Sequence, residues 1–208
     1  MYIAHINEDT KQIQTIKEHS ENVAMLCRKF AVPELKDLMY IIGILHDIGK
    51  YQSSFQKRIQ GDNVRVEHSI CGAIVAHNRY LNSIALIIEH CIAGHHSGLA
   101  DTGFFNDTKD MSTLHGRLKR TYEPIDSYAR ELEVPNIDNS EQLLKYIVND
   151  CDNDSNKLID KFAFLVRYCF SCLTDADSLD TAKFCNGDTN RKLTADFVKC
   201  LKKIDDKL

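Results

Sequence analysis

Nine histidines stand in this chain of 208 residues. Imidazole is the side chain best suited to hold a transition metal or to move a proton near neutral pH. Such chemistry needs histidines and acids on helix faces that would otherwise be apolar. At roughly 100° per residue, His19 falls within about 60° of the stripe drawn by Ile16, Val23 and Phe30. His46 stands similarly close to Leu38, Ile42 and Leu45, and Asp47, at the helix end, can turn back toward the same pocket. A third case closes the face of Leu158, Phe162, Val166, Cys169 and Leu173 with Thr174-Asp175-Ala176-Asp177. Asp177 lies on the apolar side and Asp175 on the solvent side. Asp177 is therefore the preferred inward carboxylate and Asp175 the alternative, since a kink near the helix end would exchange them. Buried imidazoles and carboxylates are costly unless paired or coordinated, so several converging from separate helices point to a metal centre.

The elements that must position these groups read as helices. Only 3 prolines and 9 glycines punctuate the chain, and the periodic segments between them are long. The fold class expected is all-α, a single globular helical bundle over residues 1–208, with no repeat or domain boundary. The first helix is expected after the capping candidates Asp9 and Thr10, with Ile13, Ile16, Val23, Leu26 and Phe30 on its face and Pro33 as its stop. A second, about 35–48, runs into His46, Asp47 and the terminator Gly49. Two more, about 68–81 and 83–93, are nearly apolar all round and belong at the centre, ending in the turn Gly94-His95-His96-Ser97-Gly98. Residues 100–139 are polar and read as a surface excursion with short helical pieces near Leu114–Tyr122 and Ile125–Leu132. Helices resume at about 141–150, 156–180 and 190–205, the last striped by Leu193, Phe197, Cys200, Leu201 and Ile204. The core thus draws on about 13–98 and 141–205.

Composition excludes several classes. With 43% hydrophobic and 27% charged residues the chain is no disordered segment, and 26 Lys and Arg against 30 Asp and Glu give −4, without the basic excess of a general nucleic-acid binder. Contact with a polyanion must be local or assisted by cations. The apolar runs Ile41–Leu45 and Ile84–Ile88 are far short of the roughly 18 to 20 residues that span a bilayer, and Met1 opens onto no basic stretch followed by an apolar one. A soluble, cytoplasmic chain without membrane contact is expected. The eight cysteines are scattered and read as reduced thiols, with Cys169 and Cys172 as core packing.

Taken in order, these pieces resemble a known family, the HD superfamily of metal-dependent phosphohydrolases. Gln14-Thr-Ile-Lys-Glu-His19 looks like the family's first-histidine segment and Leu45-His46-Asp47-Ile48-Gly49-Lys50 like its HD motif. Val66-Glu67-His68-Ser69, Gly94-His95-His96-Ser97-Gly98 and Leu173-Thr-Asp-Ala-Asp177-Ser-Leu-Asp-Thr181 follow in the family's order. The Glu-His-Ser piece and the doubled histidine narrow the likeness to the HD nuclease domain of the CRISPR-associated helicase-nuclease Cas3. The resemblance implies a two-metal site in which His19, His46, Asp47 and Asp177 hold one ion and Asp47, His68, His95 and His96 the other, with Asp47 as the bridge. It implies catalytic roles for Asp47 and for Lys50, the latter stabilising transition-state oxygens. Imidazole-rich ligands imply Fe, Mn, Co or Ni over Mg, and a metal pair about 3.5–4 Å apart suits water-driven cleavage of a phosphodiester.

The implied activity is endonuclease and exonuclease action on single-stranded DNA in CRISPR interference. The implied partners are the Cas3 helicase, in trans or as a C-terminal continuation, and the RNA-guided surveillance complex. No GxxxxGK[ST] motif is present in this sequence. Ser69 and Ser97, beside the histidines, are candidates to contact phosphate or orient a ligand; Asp101 and Asp175 are candidates to stand behind the ligands. His77 and His90 are expected to be packed in apolar helices, and His5 and His115 to lie at the surface. Lys50, Lys57, Arg58 and Arg65 flank the HD segment, and Arg117, Lys119 and Arg120 with Tyr122 outline a path for a single strand. Two rival readings are a phosphohydrolase of small or cyclic nucleotides and a non-catalytic helical interaction module.

Overall fold

The computed structural model describes residues 1–137 and 154–187, with Leu143, Lys145, Val148 and Asn149 between them. The chain opens with a hairpin: β1 (Ile3–Ile6) runs antiparallel to β2 (Ile13–Thr15), setting His5 opposite Gln14 and Ile6 opposite Ile13. Asn7 builds the turn, its Oδ1 accepting the backbone N–H groups of Asp9 and Thr10 at 3.0 and 2.9 Å. This corrects the first expected helix. Asp9 and Thr10 are committed to the turn, Ile13 lies in a strand, and α1 (Ile16–Phe30) is capped by Thr15, whose hydroxyl accepts the Glu18 N–H at 3.1 Å. Thr15-x-x-Glu18 has the spacing of a capping box, a stronger start signal than Asp9 or Thr10.

A 3-10 turn at Pro33–Leu35 leads into α2 (Lys36–Leu45), and a second, Ile48–Tyr51, follows His46 and Asp47. Next come α3 (Ser53–Ile59), α4 (Cys71–Arg79), α5 (Asn82–Gly94), the short α6 (Leu114–Leu118), a 3-10 turn at Asp126–Arg130, and the long α7 (Ser155–Asn186). The expected helix at about 141–150 lies mostly, and that at about 190–205 wholly, outside the described residues. The two-stranded hairpin apart, the architecture is the all-α bundle read from the sequence.

At the centre, α2 and α5 bury Leu38, Met39, Ile41, Ile42, Ile44 and Leu45 against Ile84, Ile87, Ile88, Cys91 and Ile92. The first helix packs on α2, and α7 lies against both α1 and α5. Close approach of α1 and α2 depends on Gly43, where a Cβ would stand 2.5 Å from the Ala24 Cα. Cys169 sits in this core as expected, and Cys172 packs at its edge. The segment after α5 corrects another expectation. Although polar in composition, its later part docks on the bundle, where Leu114, Leu132 and Val134 join the core. Among the described residues no helix is long and apolar enough to cross a membrane.

Candidate metal centre

Three histidines are aimed by what their outer nitrogens hold. His46 and His95 stand where α2 and α5 end, and each Nδ1 donates to a carbonyl three residues back, Gly43 O at 2.7 Å and Ile92 O at 2.6 Å. His19, in the middle of the first turns of α1, donates Nδ1–H to Asp180 Oδ2 at 2.7 Å. With the Nδ1 hydrogens engaged, each ring presents Nε2 inward, as metal-binding imidazoles do.

Those inward atoms meet at one carboxylate. The Nε2 atoms of His19 and His46 are 3.2 Å apart and lie 3.3 and 3.4 Å from Asp47 Oδ2. Asp177 Oδ1 borders this set, 3.3 Å from His19 Nε2 and 3.8 Å from His46 Nε2. On the other side, Asp47 Oδ1 is 3.6 Å from His68 Nε2 and 3.5 Å from His95 Nε2, while His68 and His96 face each other through Nε2 at 2.9 Å. Asp47 thus belongs to two groups able to hold an ion, one with His19 and His46, the other with His68, His95 and His96.

The donor atoms fit divalent cations. Ligands about 2.1 Å from a shared ion stand ~3.0 Å apart at right angles and ~3.4 Å apart at the tetrahedral angle, close to the spacings above. Both Asp47 oxygens and His95 Nε2 are buried without a hydrogen bond, a costly condition in a protein interior. Lys50 Nζ comes within 2.7 Å of Asp47 Oδ2, pairing charge without the angles of a hydrogen bond. The two groups differ in access. His19, His46 and Asp47 are sealed, whereas His68 is partly and His96 largely open to solvent.

Protons and cations compete here. Burial disfavours a charged His19, but its close contacts with the carboxylates of Asp177, Asp180 and Asp47 outweigh it and push its pKa up to about 10. Burial brings His46 and His68 down to about 4 and lowers His96 as well. Burial also works against ionising Asp47, yet the charges of Lys50 and His46 hold it well below the usual carboxylate range. Asp177 is likewise lowered, the nearby His19 ring overcoming its desolvation. The neutral imidazoles of His46, His68 and His96 beside ionised carboxylates suit a cation, whereas His19 must release a proton to bind one.

Against known families, the model of the HD domain matches residues 16–147, more than half of the chain. The chain belongs to the HD-domain family. Members are generally metal-dependent phosphohydrolases, and the match takes in His19, His46, Asp47, His68, His95 and His96. Asp177 and Asp180 reach the HD site from α7, beyond the matched residues. No curated protein matches the chain.

Around the HD site the structure places several residues that the sequence did not. Asp180 is buried and accepts from His19, from Gln14 Nε2 at 2.7 Å and from Asn22 Nδ2 at 2.9 Å. It lies three residues beyond Asp177, on the same helix face, a spacing that pointed to it. His5, expected at the surface, is half-buried: its ring stands 4.6 Å from that of His19, Nδ1 donates to Gln14 Oε1 at 2.8 Å, and Nε2 accepts from Lys50 Nζ at 3.1 Å. No periodicity in so short a strand signals this. Burial, then the charges of Lys50 and His19, bring His5 down to about 4.

The remaining candidates are sorted by position. Asp175 lines a separate surface groove with Phe30, Cys172 and Ser178, whereas Asp177 borders the imidazoles. Ser69 is buried and accepts from Arg117 at 3.2 Å rather than standing open to a phosphate. Ser97 and Asp101 line a groove beside His96. His77 is exposed on α4 and corrects the packed reading, whereas buried His90 pairs with the Thr102 hydroxyl at 2.9 Å. Two cations of the patch at 117–120 are taken up by the fold, and Lys119 stays exposed. Arg117 is buried on Glu67 and Ala93 O, Arg120 is held by Glu67 and two carbonyls, and Lys119 donates to the Phe105 and Asp107 carbonyls. Two of these cations serve the fold because Glu67, adjacent to His68, recruits them.

Proposed function

We propose that this HD domain is a metal-dependent phosphodiesterase that cleaves single-stranded DNA, the nuclease element of a CRISPR-interference system of the Cas3 kind. The observation that carries the hydrolytic part is Asp47, whose two buried oxygens each face a separate set of imidazole nitrogens. His19, His46, Asp47 and Asp177 would hold one cation and Asp47, His68, His95 and His96 the other. Imidazole-rich sets favour Fe, Mn, Co or Ni over Mg. When bound, such ions supply an activated water and neutralise charge on the phosphate oxygens.

The chain's own residues supply the rest. Nδ1 contacts to Gly43, Ile92 and Asp180 fix His46, His95 and His19 before any substrate arrives, so ordering them costs nothing at the moment of reaction. The open His68 and His96 side admits the phosphodiester. Lys50, buried with its ammonium held between Asp47 and His5, is the group proposed to donate to phosphate oxygens in the transition state. Ser97, on the open groove, is proposed as a phosphate contact. The DNA assignment draws on the resemblance to Cas3, and the open groove of about 650 Å³ beside His96 favours a strand over an enclosed single nucleotide. A helicase and an RNA-guided surveillance complex are the proposed partners.

Manganese-loaded protein incubated with circular single-stranded DNA and with free nucleotides tests the reading. The circle is expected to be cut, and His46→Ala and Asp47→Ala to abolish cutting. Hydrolysis of nucleotides alone would move the chain to the small-nucleotide class, and bound metal without either reaction would make it a non-catalytic module.

A further inference from the structure

The turn after the doubled histidine carries two aromatic rings in the open. Phe104 is 76% and Phe105 88% exposed, side by side, where a turn would ordinarily hold polar residues. They are not on a loose loop. Buried Asp107 accepts the Phe104 N–H at 3.1 Å and the Thr113 hydroxyl at 2.6 Å, and its own N–H returns to Phe104 O at 2.9 Å. Gly103 holds a φ of +75°, and a Cβ there would stand 2.1 Å from Asp107 Oδ2, so only glycine allows the closure. Lys119 clamps the far side, its Nζ donating to Phe105 O and Asp107 O at 2.6 Å each while lying 5.6 Å from the Phe105 ring centre.

The turn adjoins, through Thr113, the groove that His96 of the metal centre borders. His96, Ser97, Asp101, Ser112 and Thr113 line that groove, and Thr113 is also the anchor of Asp107. We propose that Phe104 and Phe105 form a stacking platform for the bases of a single-stranded nucleic acid whose backbone runs along this groove. The platform deepens, and rests on, the nuclease reading of the same site. Unpaired bases stack on exposed aromatic rings whatever their sequence, with cations beside the rings to meet the backbone. Lys109 and Lys119, both exposed, supply that charge. A second copy of the chain fits less well. Two rings of about 150–250 Å² each fall short of the ~1,200 Å² of a stable interface, and the flanks are charged.

The test is fluorescence anisotropy of a labelled oligothymidylate with the full chain in EDTA, so that binding is read without turnover. Phe104→Ala/Phe105→Ala is expected to weaken binding about tenfold or more, and Phe104→Trp/Phe105→Trp to restore it. Affinity for a duplex of equal length is expected to stay as it was, and thermal melting to stay unchanged because neither ring packs in the core. Equal oligothymidylate affinity in parent and alanine variant, no binding by the parent, or a parent dimer that sedimentation shows the variant to lose, would each overturn the platform. Ring-dependent binding in a chain that fails to cut the circle would keep the platform and reject the nuclease reading.

Discussion

A single carboxylate, Asp180, settles which nitrogen His19 turns inward, since the 2.7 Å contact takes up Nδ1. Removing its charge leaves the ring free to choose the other tautomer and loosens Gln14 and Asn22, which share the carboxylate. Asp180→Asn is therefore expected to lower manganese affinity about 10–100-fold while leaving the fold intact, as loss of an outer partner does at other metal sites. Calorimetric titration checks it, and an unchanged affinity would show that His19 is held by α1 alone. The sequence made His19, His46, Asp47 and Asp177 readable for one physical reason: polar groups on apolar stripes conflict with burial unless something meets them. His5 gave no such signal, because its burial comes from the hairpin folding back over α1, a tertiary event with no periodicity of its own.

Helix pairs fix the gaps between ligands, so changes far from the carboxylate should reach it through packing. Gly43 lets α2 rest on α1, and α1 carries His19 while α2 ends at His46. Gly43→Ala is expected to cost about 1–3 kcal/mol by overpacking. It should also weaken metal binding, because the 3.2 Å gap between the two Nε2 atoms must widen. Denaturant titration and metal titration measure the two effects, and loss of stability with metal affinity unchanged would show that α1 bends rather than shifts. The α4 and α5 pair offers a pH test away from the metal. Glu89 is buried on α5, with His77 of α4 at 2.9 Å. Burial, only partly offset by His77, raises its pKa above the ordinary 4.5. A raised folded value means the native state binds more protons than the unfolded chain, so Glu89's contribution is full below about 4.5 and is lost as pH rises through the folded value. Glu89→Gln is expected to remove that decline, so its melting temperature should gain on the parent's as pH rises from about 4.5 through the folded value. Parallel pH profiles would refute it. The central helices were legible because they are apolar all round. The start of α1 was not, since a hairpin claimed residues that looked like caps.

Across the whole molecule the histidines and acids come from α1, the end of α2, the turn before α4, the end of α5, and α7. Cations held by all of these can bind only the folded chain, and the order of the pieces along the sequence foretold their meeting. Packing of residues 114–134 was hidden by their polarity, because the few apolar side chains there dock only once α5 and the His68 segment exist. In the absence of ions, Lys50 and a protonated His19 offset part of the carboxylate charge, so the chain is expected to fold without metal and to gain stability when metal binds. Manganese at a hundredfold excess over its dissociation constant is expected to add about 2.7 kcal/mol per site. For a chain of this size that raises the melting temperature by roughly 5–10 °C, and EDTA should reverse it. Asp47→Ala takes the shared ligand from both sets and should abolish the shift. His96→Ala removes only an open ligand of one set, so the sealed set should keep part of it. A full manganese shift in Asp47→Ala would mean that no cation is shared there, and no shift in the parent would mean that the imidazoles converge for packing alone.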